Sequence, residues 1–311
     1  MSQSQVSPKL IIHGGAGSSL SGKGGVEIVR KSLYRVIEEV YKFLQEGGTA
    51  MDAVVRGCQL LEDDPLFNAG TGSVLQSDGQ IRMSASLMDG ANQRFSGTIN
   101  VSRVQHPIEL AQTLQEQSDR VLSDWGSAEF ARDLSIPVFD PMTDKRLKEW
   151  LQDRDENFDR AMANVVAESA GRGTIGVVAL DSQGQLAVGT STGGKGFERI
   201  GRVSDSAMPA GNYANANAAV SCTGIGEDII DECLAAKIVV RVTDGLSLEE
   251  AMERSIAESD RNGRDLGAIA LDSTGAIAWG KTSEVILAAF HDGEHIGDTL
   301  EATKETATST F

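Results

Sequence analysis

The stretch Gly171-Arg172-Gly173-Thr174-Ile175-Gly176, running into Val177-Val178-Ala179-Leu180, decides how this chain is read. A polar, charge-dense run gives way there to an apolar strand, and a threonine between flexible glycines can be held rigidly while the chain before it stays loose. Two readings are open. Thr174 is an ordinary β-branched residue opening a strand after a glycine-rich turn, or it is the point where the chain cuts itself. Broken at Gly173–Thr174, the chain would carry a hydroxyl nucleophile and a free α-amine on one residue, the pairing by which a threonine activates itself without histidine. An α-amine titrates near about 7.7–8.0, so holding it neutral at pH 7 costs only roughly 1 kcal/mol.

Upstream, 11 of the 17 residues from Asp144 to Arg160 are charged, with both signs mixed, and the run stays polar to Gly173. This is a solvated linker or an exposed helix, free to leave once a bond at its end is cut. Downstream, residues 176–190 have the form strand, turn, strand, and the form recurs at 267–281 and, through an Asp-Gly turn, at 73–81. Their consecutive apolar residues predict antiparallel sheets covered on both faces. Helices supply the cover. Val29, Leu33, Val36, Ile37, Val40 and Leu44 recur at helical spacing before Gly47-Gly48, and Thr49 with Asp52 begins a second helix that turns Ala53, Val54, Cys58 and Leu61 inward. Further helices are predicted over Ile108–Gln117, Ile229–Val242 and from Ser247 through Ile256. Lys9–Ile12 reads as a strand running into His13-Gly14-Gly15-Ala16-Gly17, a glycine loop that is either a phosphate cradle or a tight turn. The missing P-loop lysine favours the turn.

At 311 residues with 40% hydrophobic side chains, the chain can bury a large core. Its 45 acidic against 28 basic residues, a net charge of -17, oppose nucleic acid and anionic membranes as partners and leave small molecules or proteins. Cys58, Cys222 and Cys233 lack disulfide or zinc spacing, which fits a reducing cytoplasm, and no run approaches a membrane span.

No histidine stands in a catalytic triad or zinc pattern. The region after Thr174 is instead dense in hydroxyls and glycines: Thr190–Gly194, Gly201–Asp205 and Ser221–Glu227. Each can be turn chemistry alone. Taken with Thr174 they supply an amide hydrolase: Thr192 to orient the nucleophile, and the Thr223 hydroxyl and Gly224 N–H to hold an oxyanion. Arg202 offers a fork for an α-carboxylate and Asp205 a partner for an α-ammonium. Otherwise the last two are a surface ion pair worth about 0–1 kcal/mol.

Seven motifs in order, Ile12–Gly17, Pro65–Gly70, Leu87–Gly90, Gly173–Gly176, Thr190–Gly194, Gly201–Asp205 and Ser221–Gly224, make the chain resemble the plant-type L-asparaginase/isoaspartyl aminopeptidase family of N-terminal-nucleophile hydrolases. The resemblance implies an α+β fold, an αββα sandwich of two antiparallel sheets covered by helices. It implies a precursor that cuts itself into an α subunit (1–173), ending in the charged linker (about 141–173), and a β subunit (174–311), folded as one domain and paired as an (αβ)2 heterotetramer. Its substrates would be L-asparagine and β-aspartyl dipeptides. By the matching positions Thr174 is the nucleophile, Thr192 its support, Thr223 and Gly224 the oxyanion hole, and Arg202 and Asp205 the substrate grips. Asn68 lies near the nucleophile and Gly226 lines the pocket. No catalytic cofactor is implied, but a sodium ion held by the backbone carbonyls of Leu61, Glu62, Asp64, Phe67, Ala69 and Thr71 is. Ser204, Ser84 and Ile225 depart from the family pattern. The alternatives are a glycosylasparaginase, a taspase-like endopeptidase or an uncut small-molecule binding protein.

Overall fold

Along Ile175–Leu180 the side chains alternate between two cores. Val177 and Ala179 pack with helices, whereas Val178 and Leu180 pack towards a second sheet. The structure, a computed structural model, describes residues 6–17, 23–155 and 173–300. Gly171, Arg172, the expected linker beyond Asp155 and the tail beyond Leu300 lie outside the described residues.

Strands β1 (Lys9–Gly17), β2 (Met83–Asp89), β3 (Arg94–Val101), β4 (Val121–Ser123), β5 (Ile175–Leu180), β6 (Leu186–Thr192), β11 (Val285–His291) and β12 (Ile296–Asp298) form an eight-stranded sheet in the order β12-β11-β1-β5-β6-β2-β3-β4. The second sheet has the order β10-β9-β8-β7, from β7 (Asn212–Ala214), β8 (Ala218–Gly224), β9 (Leu266–Asp272) and β10 (Ile277–Lys281). Neighbours are antiparallel except the edge pair β3 and β4. Helices α1 (Val26–Gln45), α2 (Ala50–Glu62) and α3 (Pro107–Leu114) bury their apolar stripes on the outer face of the large sheet. α4 (Asp124–Asp133) and α5 (Asp144–Asp155) follow. α6 (Gly226–Glu232) leads into α7 (Leu234–Thr243) and α8 (Leu248–Arg261), and the last two cover the small sheet. The layers run helix, sheet, sheet, helix, the α+β sandwich expected.

The local signals act as their chemistry dictates. The Thr49 side chain accepts from the Asp52 N–H, and Ser247 with Glu250 makes a full capping box. Three expectations need correction. The His13–Gly17 segment is strand, not turn: Ala16 and Gly17 pair with Ile286 and Val285 beyond a bulge in which Gly15 takes φ 116°. Residues 73–81 form a closed turn without strands, because Leu75 O and Ser77 N–H bond the backbone of Phe197 and Glu198 rather than each other's flanks. The helix expected over Ile229–Val242 is two, broken at Cys233, whose φ of 46° is left-handed.

Candidate active site

β5 begins one residue after Thr174, and its neighbour β6 ends at Thr192, so antiparallel pairing brings the two hydroxyls to the same end of the sheet. Thr174 Oγ1 lies 3.0 Å from Thr192 Oγ1, and Thr192 Oγ1 accepts from the Gly194 N–H at 3.1 Å. Asn68 reaches the same place from the loop after α2. Its N–H donates to the Gly173 carbonyl at 3.0 Å, and its carbonyl accepts from the Gly193 N–H at 2.9 Å. Its side chain bonds Gly194 O at 2.6 Å and the Val74 N–H at 2.9 Å, so both ends of the amide are fixed. A side chain at Gly193 would strike Asn68 Oδ1 at 2.5 Å. The carbonyl of the Gly173–Thr174 bond is thus held by a backbone donor, beside a hydroxyl that is itself held.

Thr223 Oγ1, near the end of β8, is buried and has no hydrogen-bond partner among the described residues. A buried hydroxyl without a partner costs about 1–3 kcal/mol, a cost removed when an acceptor arrives. Gly224 follows with φ 135°, a conformation that suits glycine. No hydrogen bond joins Thr223 to Thr174 among the described residues. Arg202 and Asp205 meet under Gly226: a side-chain carbon there would lie 2.5 Å from Arg202 Nη2 and 2.8 Å from Asp205 Oδ1. Asp205 is buried, Oδ2 has no partner, and burial raises its pKa to about 7 against the pull of the Arg202 charge. The Ser204 hydroxyl, one of the departures from the family pattern, caps the short helical turn at Asp205–Ala207. Ser84 accepts from the Asn100 N–H, and Asn100 in turn bonds Arg202 O. The Ile225 N–H bonds Asp265 O at the start of α6.

Glu227 is a partner that the sequence analysis left without a role. Its carboxylate takes Arg202 Nε and Nη2 at 3.1 Å each and lies 3.4 Å from Lys195 Nζ. Burial alone would raise its pKa, but the Arg202 hydrogen bonds and charge outweigh this and pull it down to about 2. Position within Ser221–Glu227, three residues beyond Gly224, was the available signal. His13 was passed over as well. It is buried, and its Nε2 lies 2.9 Å from Ser221 Oγ. Burial lowers its pKa to about 3 and keeps it neutral.

In the loop from α2 to Thr71, three of the carbonyls accept hydrogen bonds from within the loop. Glu62 O accepts the Thr71 N–H at 2.7 Å, Leu61 O the Asp64 N–H at 3.3 Å and Asp64 O the Phe67 N–H at 3.1 Å. Phe67 O lies against Gly72, where a side-chain carbon would come within 3.0 Å of it. Each carbonyl keeps a second lone pair. Among the described residues no group of three or more His, Cys, Asp or Glu side chains could hold a metal ion. The donors of this loop are neutral oxygens, which fit a hard monovalent cation.

The sequence matches the family described as Asparaginase over residues 6–301. It is 73% identical to the isoaspartyl peptidase/L-asparaginase of Nostoc sp. over 306 residues, 96% of each chain. It is 63% identical to the protein of the same name from Synechocystis sp., over 96% of this chain and 92% of that one. A plant-type L-asparaginase of Pyrococcus abyssi is 34% identical over 90% of this chain and 95% of its own. With the Thr174 and Thr192 hydroxyls paired at the head of β5 and this likeness along nearly its whole length, the chain belongs to the asparaginase family.

Proposed function

We propose that this protein is a self-processing threonine amidohydrolase that cleaves β-aspartyl amide bonds in L-asparagine and in β-aspartyl dipeptides. The observation that carries the reading is the pairing of Thr174 Oγ1 with Thr192 Oγ1 at 3.0 Å, next to a Gly173 carbonyl held by Asn68 N–H. In the first stage Thr174 Oγ1 attacks that carbonyl, the amide nitrogen leaves as the Thr174 α-amine, and water releases Gly173 from the ester. The products are an α subunit of residues 1–173, including the linker at about 141–173, and a β subunit of 174–311 within one folded domain.

In the second stage the freed amine accepts the Thr174 hydroxyl proton as Oγ1 attacks the substrate's side-chain carbonyl. Thr192 keeps the hydroxyl aimed. Thr223 Oγ1 and the Gly224 N–H carry the oxyanion, and ammonia or an amino acid leaves with the proton. Water then frees aspartate from Thr174. Arg202 binds the α-carboxylate, using donors that Glu227 does not occupy, and Asp205 binds the α-ammonium. Gly226 leaves the room both need. A sodium ion, held by the carbonyls of Leu61, Glu62, Asp64, Phe67, Ala69 and Thr71, would brace the loop that carries Asn68. An (αβ)2 assembly and a cytoplasmic location complete the proposal; three cysteines without disulfides are consistent with that compartment.

Denaturing electrophoresis and N-terminal sequencing test it. The 33.0 kDa chain should give two bands, the smaller beginning at Thr174. Thr174→Ala should stay whole and inactive, and its cleavage at Gly173 would sink the nucleophile assignment. Processed enzyme should hydrolyse β-Asp-Leu and leave α-Asp-Leu intact, since an α-linked peptide has no free α-carboxylate for Arg202. With a penalty of about 2–5 kcal/mol, discrimination should reach roughly 30- to several-thousand-fold.

A further inference from the structure

Lys23 belongs to none of the motifs above, yet its amine lies beside Gly173, the residue on the upstream side of the bond proposed to be cut. Nζ donates to Leu66 O at 2.8 Å and sits 5.2 Å from the centre of the Phe67 ring. A side-chain carbon built on Gly173 would lie 3.3 Å from this Nζ and 3.0 Å from the Asn68 nitrogen. The lysine amine and the backbone donor of the Gly173 carbonyl therefore crowd the same side of the same residue. Leu66 and Phe67 immediately precede Asn68, so one cation touches both the loop that carries the carbonyl's donor and the residue that owns the carbonyl. Lys23 is half-buried as a residue, and burial of its amine, with the nearby Arg146 and Lys145 charges, lowers its pKa to about 7 against the pull of Asp64. Among the described residues its hydrogen bond goes to a neutral carbonyl, and it forms no ion pair with a carboxylate. An amine whose charged form is disfavoured by its surroundings gains most when a negative charge appears beside it. Its use lies in the charge that appears on cutting.

We propose that Lys23 is the cation of the self-cleavage step, stabilising the negative charge that forms on the Gly173 carbonyl oxygen and then pairing with the Gly173 carboxylate. The inference rests on the self-processing reading above. The balance is that of a hydrolysis. Thr174 Oγ1 bonds to the Gly173 carbonyl carbon, the carbon–nitrogen bond breaks, and the nitrogen takes the hydroxyl proton. Water then adds to the ester carbon, Oγ1 leaves with a proton, and Gly173 ends as a carboxylate. In both stages the carbonyl oxygen passes through a full negative charge beside a single backbone donor, where an additional fixed cation has its largest effect. Asn68 N–H supplies direction and Lys23 supplies charge.

The test follows self-cleavage during cell-free synthesis of the full chain, reading uncut against cut chain over time for wild type, Lys23→Met and Lys23→Arg, with Thr174→Ala as the uncut standard. Lys23→Met should slow cutting by at least about tenfold, as loss of one donor to an oxyanion does. Lys23→Arg should recover most of that rate, because it restores charge without restoring the lysine's packing, and a purely steric role would leave the bulkier arginine as slow as methionine. Cutting of Lys23→Met at the wild-type rate, or slow cutting that Lys23→Arg fails to recover, overturns the role of Lys23. The two readings separate cleanly. A wild-type chain that stays whole removes self-processing and this inference with it, whereas a wild-type chain that cuts beside an equally fast Lys23→Met removes only the inference.

Discussion

Arg202 is asked to bind a substrate carboxylate while already holding one of the protein's own. Glu227 occupies its Nε and Nη2 edge, which fixes the orientation of the guanidinium. Arg202→Ala removes the fork and should cost about 2–5 kcal/mol in kcat/KM, with chain cleavage unaffected because the Gly173–Thr174 bond presents no free carboxylate. Gly226→Ala places a methyl within 2.5 Å of Arg202 Nη2 and should raise KM sharply in an enzyme that still cuts itself. The pH dependence follows from Asp205. Burial raises its folded pKa to about 7, so the carboxylate that grips the α-ammonium is lost as pH falls through that value. A kcat/KM profile should therefore decline on its acid side through two groups, Asp205 and the Thr174 α-amine, and Asp205→Asn should leave only the amine's limb, at much reduced activity. The hydroxyl pair at the head of β5 was legible because hydroxyls and glycines cluster in short motifs. Glu227 and His13 were not, since each acts through partners far along the chain, Arg202 for one and Ser221 for the other.

At the scale of elements, periodicity carried the long helices: α1 spans Val26–Gln45 and buries the residues its spacing selects. It failed where tertiary contacts overrode local chemistry. The glycines of His13–Gly17 signal a turn, but β11 supplies a pairing partner nearly 270 residues later, and Gly14 serves by letting the Phe67 ring approach its backbone. The break between α6 and α7 had no glycine to announce it. Cys233 holds a left-handed conformation that costs a side chain about 1–2 kcal/mol. Cys233→Gly should thus stabilise the fold by roughly 1 kcal/mol, seen as a rise in Tm of a few degrees, with activity unchanged.

For the molecule as a whole, consecutive apolar residues such as Val177–Leu180 foretold sheets covered on both faces, but no local pattern foretold strand order. A cut at Gly173–Thr174 leaves β1 to β4 on one piece and β5 to β12 on the other, yet β1 lies between β5 and β11, and β2 beside β6. Separating the pieces would tear the sheet along three ladders and expose its core. Cut protein should run as a single species on native size-exclusion chromatography, and the pieces should part only in denaturant.

The strand order also sets a timetable for manufacture. β1 is among the first segments to leave the ribosome, and the strand that closes its other flank, Val285–His291, is among the last. At about 5–20 residues per second the gap of about 270 residues is on the order of tens of seconds, during which the nascent chain holds an unfinished sheet. The Asn68 and Gly173 contact depends on that sheet being in place. Chains that stop short of Val285 should accordingly remain uncut, and in a cell extract the proportion of whole chain would report how much of the newly made protein has finished folding.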